Sequence, residues 1–81
     1  MNIALDWDGT YTADPELWDA FAKLAASRGH RVTVVTLRDS LLEQVSTELP
    51  VVYCSRTAKR KHFRADVWID DSPQWITEDH G

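Results

Sequence analysis

Apolar and polar positions along this chain alternate between two periods. Four short runs, Ile3-Ala4-Leu5, Val32-Thr33-Val34-Val35, Val51-Val52-Tyr53 and Val67-Trp68-Ile69, are apolar and mostly β-branched or aromatic, so they read as buried strands. With their flanks they predict strands over residues 2–7, 31–37, 50–54 and 67–70. Between the first two, Leu17, Phe21, Leu24 and Ala25 recur at helical spacing, with Trp18 at the margin of the stripe. Asp14-Pro15-Glu16 supplies a cap, a proline for the first turn and an acid beside the positive dipole end, and Gly29 after Arg28 is a stop. A second helix is predicted over 39–49, with Leu41, Leu42 and Val45 facing inward and Pro50 closing it. A short third helix is expected around 57–64. Ser72-Pro73 interrupts the pattern, and Gln74-Trp75-Ile76 is expected to form a turn or short helix.

Strands alternating with helices at this spacing predict an α/β fold. The expectation is one Rossmann-like domain over residues 1–81, a four-stranded parallel sheet with helices on both faces. Open sheets of that kind bind ligands at the carboxyl ends of their strands. Asp6 and Asp8, Thr36, Ser55, and Asp70 with Asp71 all fall at such ends. In Asp6-Trp7-Asp8-Gly9-Thr10 two carboxylates project to the same side of an extended backbone, roughly 6–7 Å apart. If the first and last strands are parallel neighbours, Asp70-Asp71 meets them at the same edge. So much negative charge at one sheet edge is costly unless a cation is held there, most simply Mg²⁺. The pattern therefore predicts a metal-dependent site that handles phosphoryl groups.

Composition narrows the field. Eighty-one residues suffice for one small domain, and such a chain buries only about 60% of its unfolded surface, so its stability is expected to be modest. Cys54 is the only cysteine, so no disulfide framework contributes. Four tryptophans supply much of the core area, and a homo-oligomer would add more. The net charge of −4 argues against general nucleic-acid binding, and the one basic run, Lys59-Arg60-Lys61-His62-Phe63-Arg64, reads first as a solvated helix face. No apolar run approaches the roughly 20 residues needed to span a bilayer, and no basic leader opens the sequence. With a lone thiol, these features lead us to expect a cytoplasmic protein. Trp7, pointing opposite to the two acids, is expected in the core, as is Cys54, and the three histidines show no metal-ligand spacing.

Four elements in order, Asp6-Trp7-Asp8-Gly9-Thr10, Thr36 at the end of strand two, a lysine in Ala58-Lys59-Arg60-Lys61, and Asp70-Asp71, resemble the motifs of the haloacid dehalogenase-like (HAD) phosphohydrolases. The resemblance covers almost the whole chain and implies a capless member reduced to its core domain. By that resemblance Asp6 is the nucleophile that forms an aspartyl-phosphate. Asp8 protonates the leaving oxygen, then activates water, and offers its backbone carbonyl to the metal. Thr36 donates its hydroxyl to the phosphoryl group, and a lysine offsets charge on the transition state. Asp6, Asp8, Asp70 and Asp71 are the implied metal ligands, with Mg²⁺ the implied cofactor. Lys59, nearest the loop after strand three, is favoured for the lysine role, with Lys61 as the alternative. Gly9 permits close backbone approach to phosphate, and Gly9, Thr10 and Arg38 are the expected substrate contacts, with Tyr11 beside them.

Larger members of that family carry a flap after the first motif and often a cap domain. Here only Tyr11-Thr12-Ala13 separates Thr10 from the cap at Asp14. The expected activity is Mg²⁺-dependent hydrolysis of a small phosphomonoester. The alternatives are a binding or regulatory module that keeps the fold without turnover, and an enzyme that removes terminal phosphates from nucleic acid.

Overall fold

A computed structural model describes residues 1–81. Four strands form one all-parallel sheet in the order β3-β2-β1-β4: β1 is Asn2–Leu5, β2 Arg31–Thr36, β3 Val51–Tyr53 and β4 Val67–Ile69. The small α/β architecture and the parallel sheet thus match expectation. Two helices accompany it, α1 at Pro15–Ser27 and the single-turn α2 at Gln74–Thr77. No helix is long and apolar enough to cross a membrane.

The local signals at α1 act as their chemistry dictates. Asp14 accepts a hydrogen bond from the Leu17 amide, Pro15 opens the first turn, and Gly29 follows the end of the helix at φ +82°. Its inward arc differs from the predicted stripe. Ala22 and Ala25 are buried and Trp18 and Phe21 pack beside them, whereas Leu17 and Leu24 are 53% and 62% exposed. Small residues let the helix axis approach the sheet closely, and the two leucines fall off that arc.

The predicted helix over 39–49 does not form. Asp39 captures the amides of Leu41 and Leu42 through its side chain, and one turn closes with Glu43 N–H donating to Asp39 C=O. Beyond it, the Val45 amide donates to Tyr53 Oη and the Leu49 amide to Thr47 Oγ1, bonds that compete with a helical ladder. Leu41 and Leu42, expected inward, are 84% and 90% exposed, while Val45 and Leu49 reach the core from an irregular segment. The helix expected around 57–64 shrinks to a 3₁₀ turn, Lys59–Lys61. Helical cover is therefore unequal. One face of the sheet (Ile3, Leu5, Val32, Val34) packs under α1 with Trp7 and Tyr11. The other (Ala4, Val35, Cys54) packs against Leu37, Val52, Phe63, Ala65 and Trp68. Trp7 and Cys54 are buried, as predicted.

Candidate functional site: an acidic cluster at the carboxyl edge of the sheet

Pairing of β1 with β4 in the register Leu5↔Ile69 carries Asp6 and Asp70 off the sheet side by side, and the Asp6 amide extends the ladder to Ile69 C=O at 2.9 Å. Asp71 follows. One carboxylate oxygen from each of Asp6, Asp70 and Asp71 lies within 4.8 Å of the other two. The separation of 64 residues between Asp6 and Asp70 is closed by strand pairing alone, since both acids are the first residues beyond paired strands.

Thr10 ties the first motif to the last. Its Oγ1 sits 3.1 Å from Asp6 Oδ2 and 3.1 Å from Asp71 Oδ1, and accepts from the Asp71 amide at 3.2 Å. The turn that returns Thr10 to this position runs through Gly9 at φ +83°. A Cβ there would land on the Asp71 carboxylate, with Asp71 Cγ only 3.0 Å away, so any other residue must displace that side chain and also adopt a positive φ that favours glycine. The Gly9 amide donates to Thr12 Oγ1 at 3.0 Å, so it serves the turn.

Lys59 comes from the loop after β3. Its ammonium donates to Asp6 Oδ1 at 2.7 Å and to Asp70 Oδ2 at 2.6 Å, and the residue is only 2% exposed. The turn that carries it is pinned from the C-terminal segment, where Asp79 Oδ1 accepts the Ala58 amide at 2.7 Å. Lys61 points elsewhere, onto Asp79 at 3.0 and 3.1 Å. Of the basic run, one lysine is therefore buried and the other neutralised, while Arg60 and Arg64 stay exposed.

Electrostatics follow from this packing. Burial pushes the Asp6 carboxyl up to about 7, with the neighbouring Asp71 and Asp70 adding to the rise and Lys59 opposing it. Burial pulls the Lys59 ammonium down, but the two carboxylates it touches outweigh that, and its pKa is raised on balance. The hydrogen bond shared with Asp6 holds Asp71 below the ordinary carboxylate range. Fully ionised, three carboxylates and one ammonium leave a charge of −2, with Asp6, Asp70 and Lys59 largely dehydrated and Asp71 exposed. All donors offered are hard carboxylate oxygens, so the cluster suits a hard divalent cation such as Mg²⁺ or Ca²⁺.

The remaining expected residues lie around this centre. The Asp8 carboxylate is outside the convergent group: it is exposed and gripped from two sides by Arg38, whose Nε donates at 2.9 Å and Nη2 at 2.7 Å. That grip holds Asp8 below its ordinary pKa. Thr36 is buried at the end of β2, where its Oγ1 accepts the Arg38 amide at 3.2 Å, and no hydrogen bond joins it to the acids. Tyr11 does not face the site. It is buried, stacks on Trp7 with ring centroids 4.4 Å apart and donates to Asp19. Two participants escaped the sequence reading, Asp79 and Arg56. Their sole signal was a charged residue near a chain end or in a loop, which carries no spatial information.

A scan against family models, a search of curated proteins and a search of solved structures each return no match to this chain.

Proposed function

We propose that this protein is a Mg²⁺-dependent phosphatase of HAD-like type that hydrolyses small phosphomonoesters through an aspartyl-phosphate on Asp6. One observation carries the reading: a buried carboxylate at the sheet's carboxyl edge, fixed by Lys59 and Thr10 and flanked by two further acids. A metal-only site has no need of a lysine inserted between two of its ligands. A site that must also neutralise an arriving phosphoryl group does.

In this reading Asp6, Asp70 and Asp71, with the Asp8 carbonyl, hold the ion. When bound, Mg²⁺ neutralises the excess charge, keeps Asp6 ionised and orients phosphate oxygens. Lys59 and Thr10 restrict Asp6 to one orientation, so its free lone pair is aimed rather than sampled. Asp6 Oδ forms a bond to phosphorus as the ester P–O bond breaks. Asp8, once released from Arg38 and protonated, supplies the proton to the leaving alkoxide, then takes one from the water that cleaves the acyl-phosphate. Thr36, at the end of β2, contributes its hydroxyl to the phosphoryl oxygens.

Purified protein is expected to release phosphate from an aryl phosphate only with Mg²⁺, and Asp6→Asn is expected to fall to the blank. Activity that survives either the substitution or chelation overturns the reading. A second reading, a phosphate-binding module without turnover, is favoured by one observation: Arg38 holds Asp8 in the ionised form, the wrong direction for a general acid. Melting with Mg²⁺ and beryllium fluoride separates the two, because a site that loads but never turns over a panel of phosphoesters is a binding module. For removal of terminal phosphates from nucleic acid, both lysines of the basic run are lost to carboxylates, which leaves Arg60 and Arg64 as its exposed arginines.

A further inference from the structure

Beside the acidic cluster, at the same edge of the sheet, lies a depression of about 260 Å³ lined by Asp8, Leu37, Arg38, Glu43, Arg56 and His80. We infer that this depression is a second anion subsite in which Arg38 and Arg56 recognise a carboxylate or second phosphate on the non-reacting part of the substrate. The inference rests on the phosphatase reading and adds a substrate class to it: small phosphomonoesters that carry a further negative group.

Three observations support it. The first is how the two arginines are built in. They sit on the loops that follow β2 and β3, and those loops are laced together by backbone bonds, Cys54 N–H to Thr36 C=O at 2.8 Å, Ser55 N–H to Arg38 C=O at 3.2 Å and Arg56 N–H to Leu37 C=O at 2.8 Å. Making those bonds puts two consecutive non-glycine residues in the left-handed region, Ser55 at φ 47° and Arg56 at φ 65°. Such strain persists where the surrounding structure over-determines it, and it clusters at ligand sites.

The second is the chemistry already present. Arg38 grips Asp8 through two nitrogens, and Arg56 donates Nη2 to Glu43 Oε2 at 2.9 Å while Nη1 holds Leu37 C=O at 3.0 Å. The Arg38 fork is thus already set for a planar or tetrahedral oxyanion, and Arg56, anchored through Nη1 to the backbone, offers Nη2 as a single further donor to one.

The third is exposure. The side chains in the Arg38–Asp8 pair are 32% and 59% exposed, and in the Arg56–Glu43 pair 47% and 35%, against 3% for Lys59 and for Asp70. Exposed ion pairs gain little over solvation by water, so an incoming anion can replace Asp8 and Glu43 at low cost. The buried Lys59 pairs cannot be exchanged in that way. The volume lies just below the range of ordinary ligand pockets, so it admits the short remainder of a small substrate.

The test uses a matched pair, 2-phosphoglycolate and methyl phosphate, titrated calorimetrically with Mg²⁺ into Asp6→Asn protein, with propane-1,3-diol bisphosphate as the phosphate arm. Tighter binding of 2-phosphoglycolate or the bisphosphate by at least about tenfold is expected, with the preference shrinking below about twofold on adding Arg56→Gln. The arm that binds tighter identifies the second group. Glu43→Gln, which frees Arg56, should widen the preference and provides an independent readout if Arg56→Gln fails to fold. Equal binding of all three ligands, or a preference that neither substitution moves, overturns the subsite. Turnover of the same ligands by the unsubstituted protein is measured alongside. Loss of turnover with the binding preference intact overturns the phosphatase reading and leaves the subsite standing.

Discussion

Replacing Lys59 with methionine tests the electrostatic core of the site directly. The side chain is nearly isosteric, so packing is kept while the ammonium between Asp6 and Asp70 is removed. Both contacts are short, 2.7 and 2.6 Å, and the Lys59 and Asp70 side chains are each 3% exposed. Two buried carboxylates then lose their counter-charge, a change that costs about 3–5 kcal/mol where a buried pair is broken from one side. An 81-residue chain has roughly 4–12 kcal/mol of stability in total, so Lys59→Met removes a large part of it. At roughly 4–8 °C per kcal/mol for a domain of this size, Tm should fall by roughly 12–40 °C. The loss should shrink at about pH 5.5, because protonated Asp6, whose pKa is about 7, no longer needs the lysine. Urea unfolding followed by tryptophan fluorescence, in chelator at about pH 8 and about pH 5.5, measures both quantities. A loss under about 1 kcal/mol at the higher pH, or one equal at the two, refutes the reasoning.

Three further outcomes are expected. In chelator the unsubstituted protein should be less stable at about pH 8 than at about pH 5.5: the Asp6 pKa is raised from 3.8 to about 7, so its contribution is full below about pH 4 and disappears as pH rises through 7, whereas the lowered pKa values of Asp8 and Asp71 cost stability only as pH falls below the usual carboxylate range; a urea midpoint that rises with pH would contradict this. Gly9→Ala should destabilise by about 1–2 kcal/mol from the positive φ and push the exposed Asp71 carboxylate aside, so Mg²⁺ titration should show a weaker ion site even after the stability loss is accounted for. Mg²⁺ should raise the Tm of the unsubstituted protein and raise it far less in Asp71→Asn, as differential scanning fluorimetry reads.

Particular residues mark how far the sequence could be read. Strand runs such as Val32-Thr33-Val34-Val35 and the cap at Asp14 were legible because burial and capping are local demands, written in residue type and spacing. The acids at positions 6, 70 and 71 were legible as a cluster because a parallel sheet leaves few places for strand ends to go. The segment 39–49 misled because Leu41, Leu42, Val45 and Leu49 mimic a helical stripe, while the side chains that undo it, Asp39 and Tyr53, act through bonds that periodicity does not encode. Lys59 was favoured over Lys61 because it lies nearest the loop after β3, and it is Lys59 that meets Asp6 and Asp70, while Lys61 turns to Asp79; helical geometry alone gave only that the two point to different sides.

By itself, then, the order of residues determined an α/β chain with parallel strands and acids at their carboxyl ends, because hydrophobic period and charge placement are properties of neighbours. Tertiary structure alone decided that Lys59 is buried between Asp6 and Asp70, that Asp8 is held by Arg38, and that Arg56 stands beside it. Those are meetings between residues 11 to 53 positions apart, set by loop paths whose energies lie in contacts with the rest of the fold.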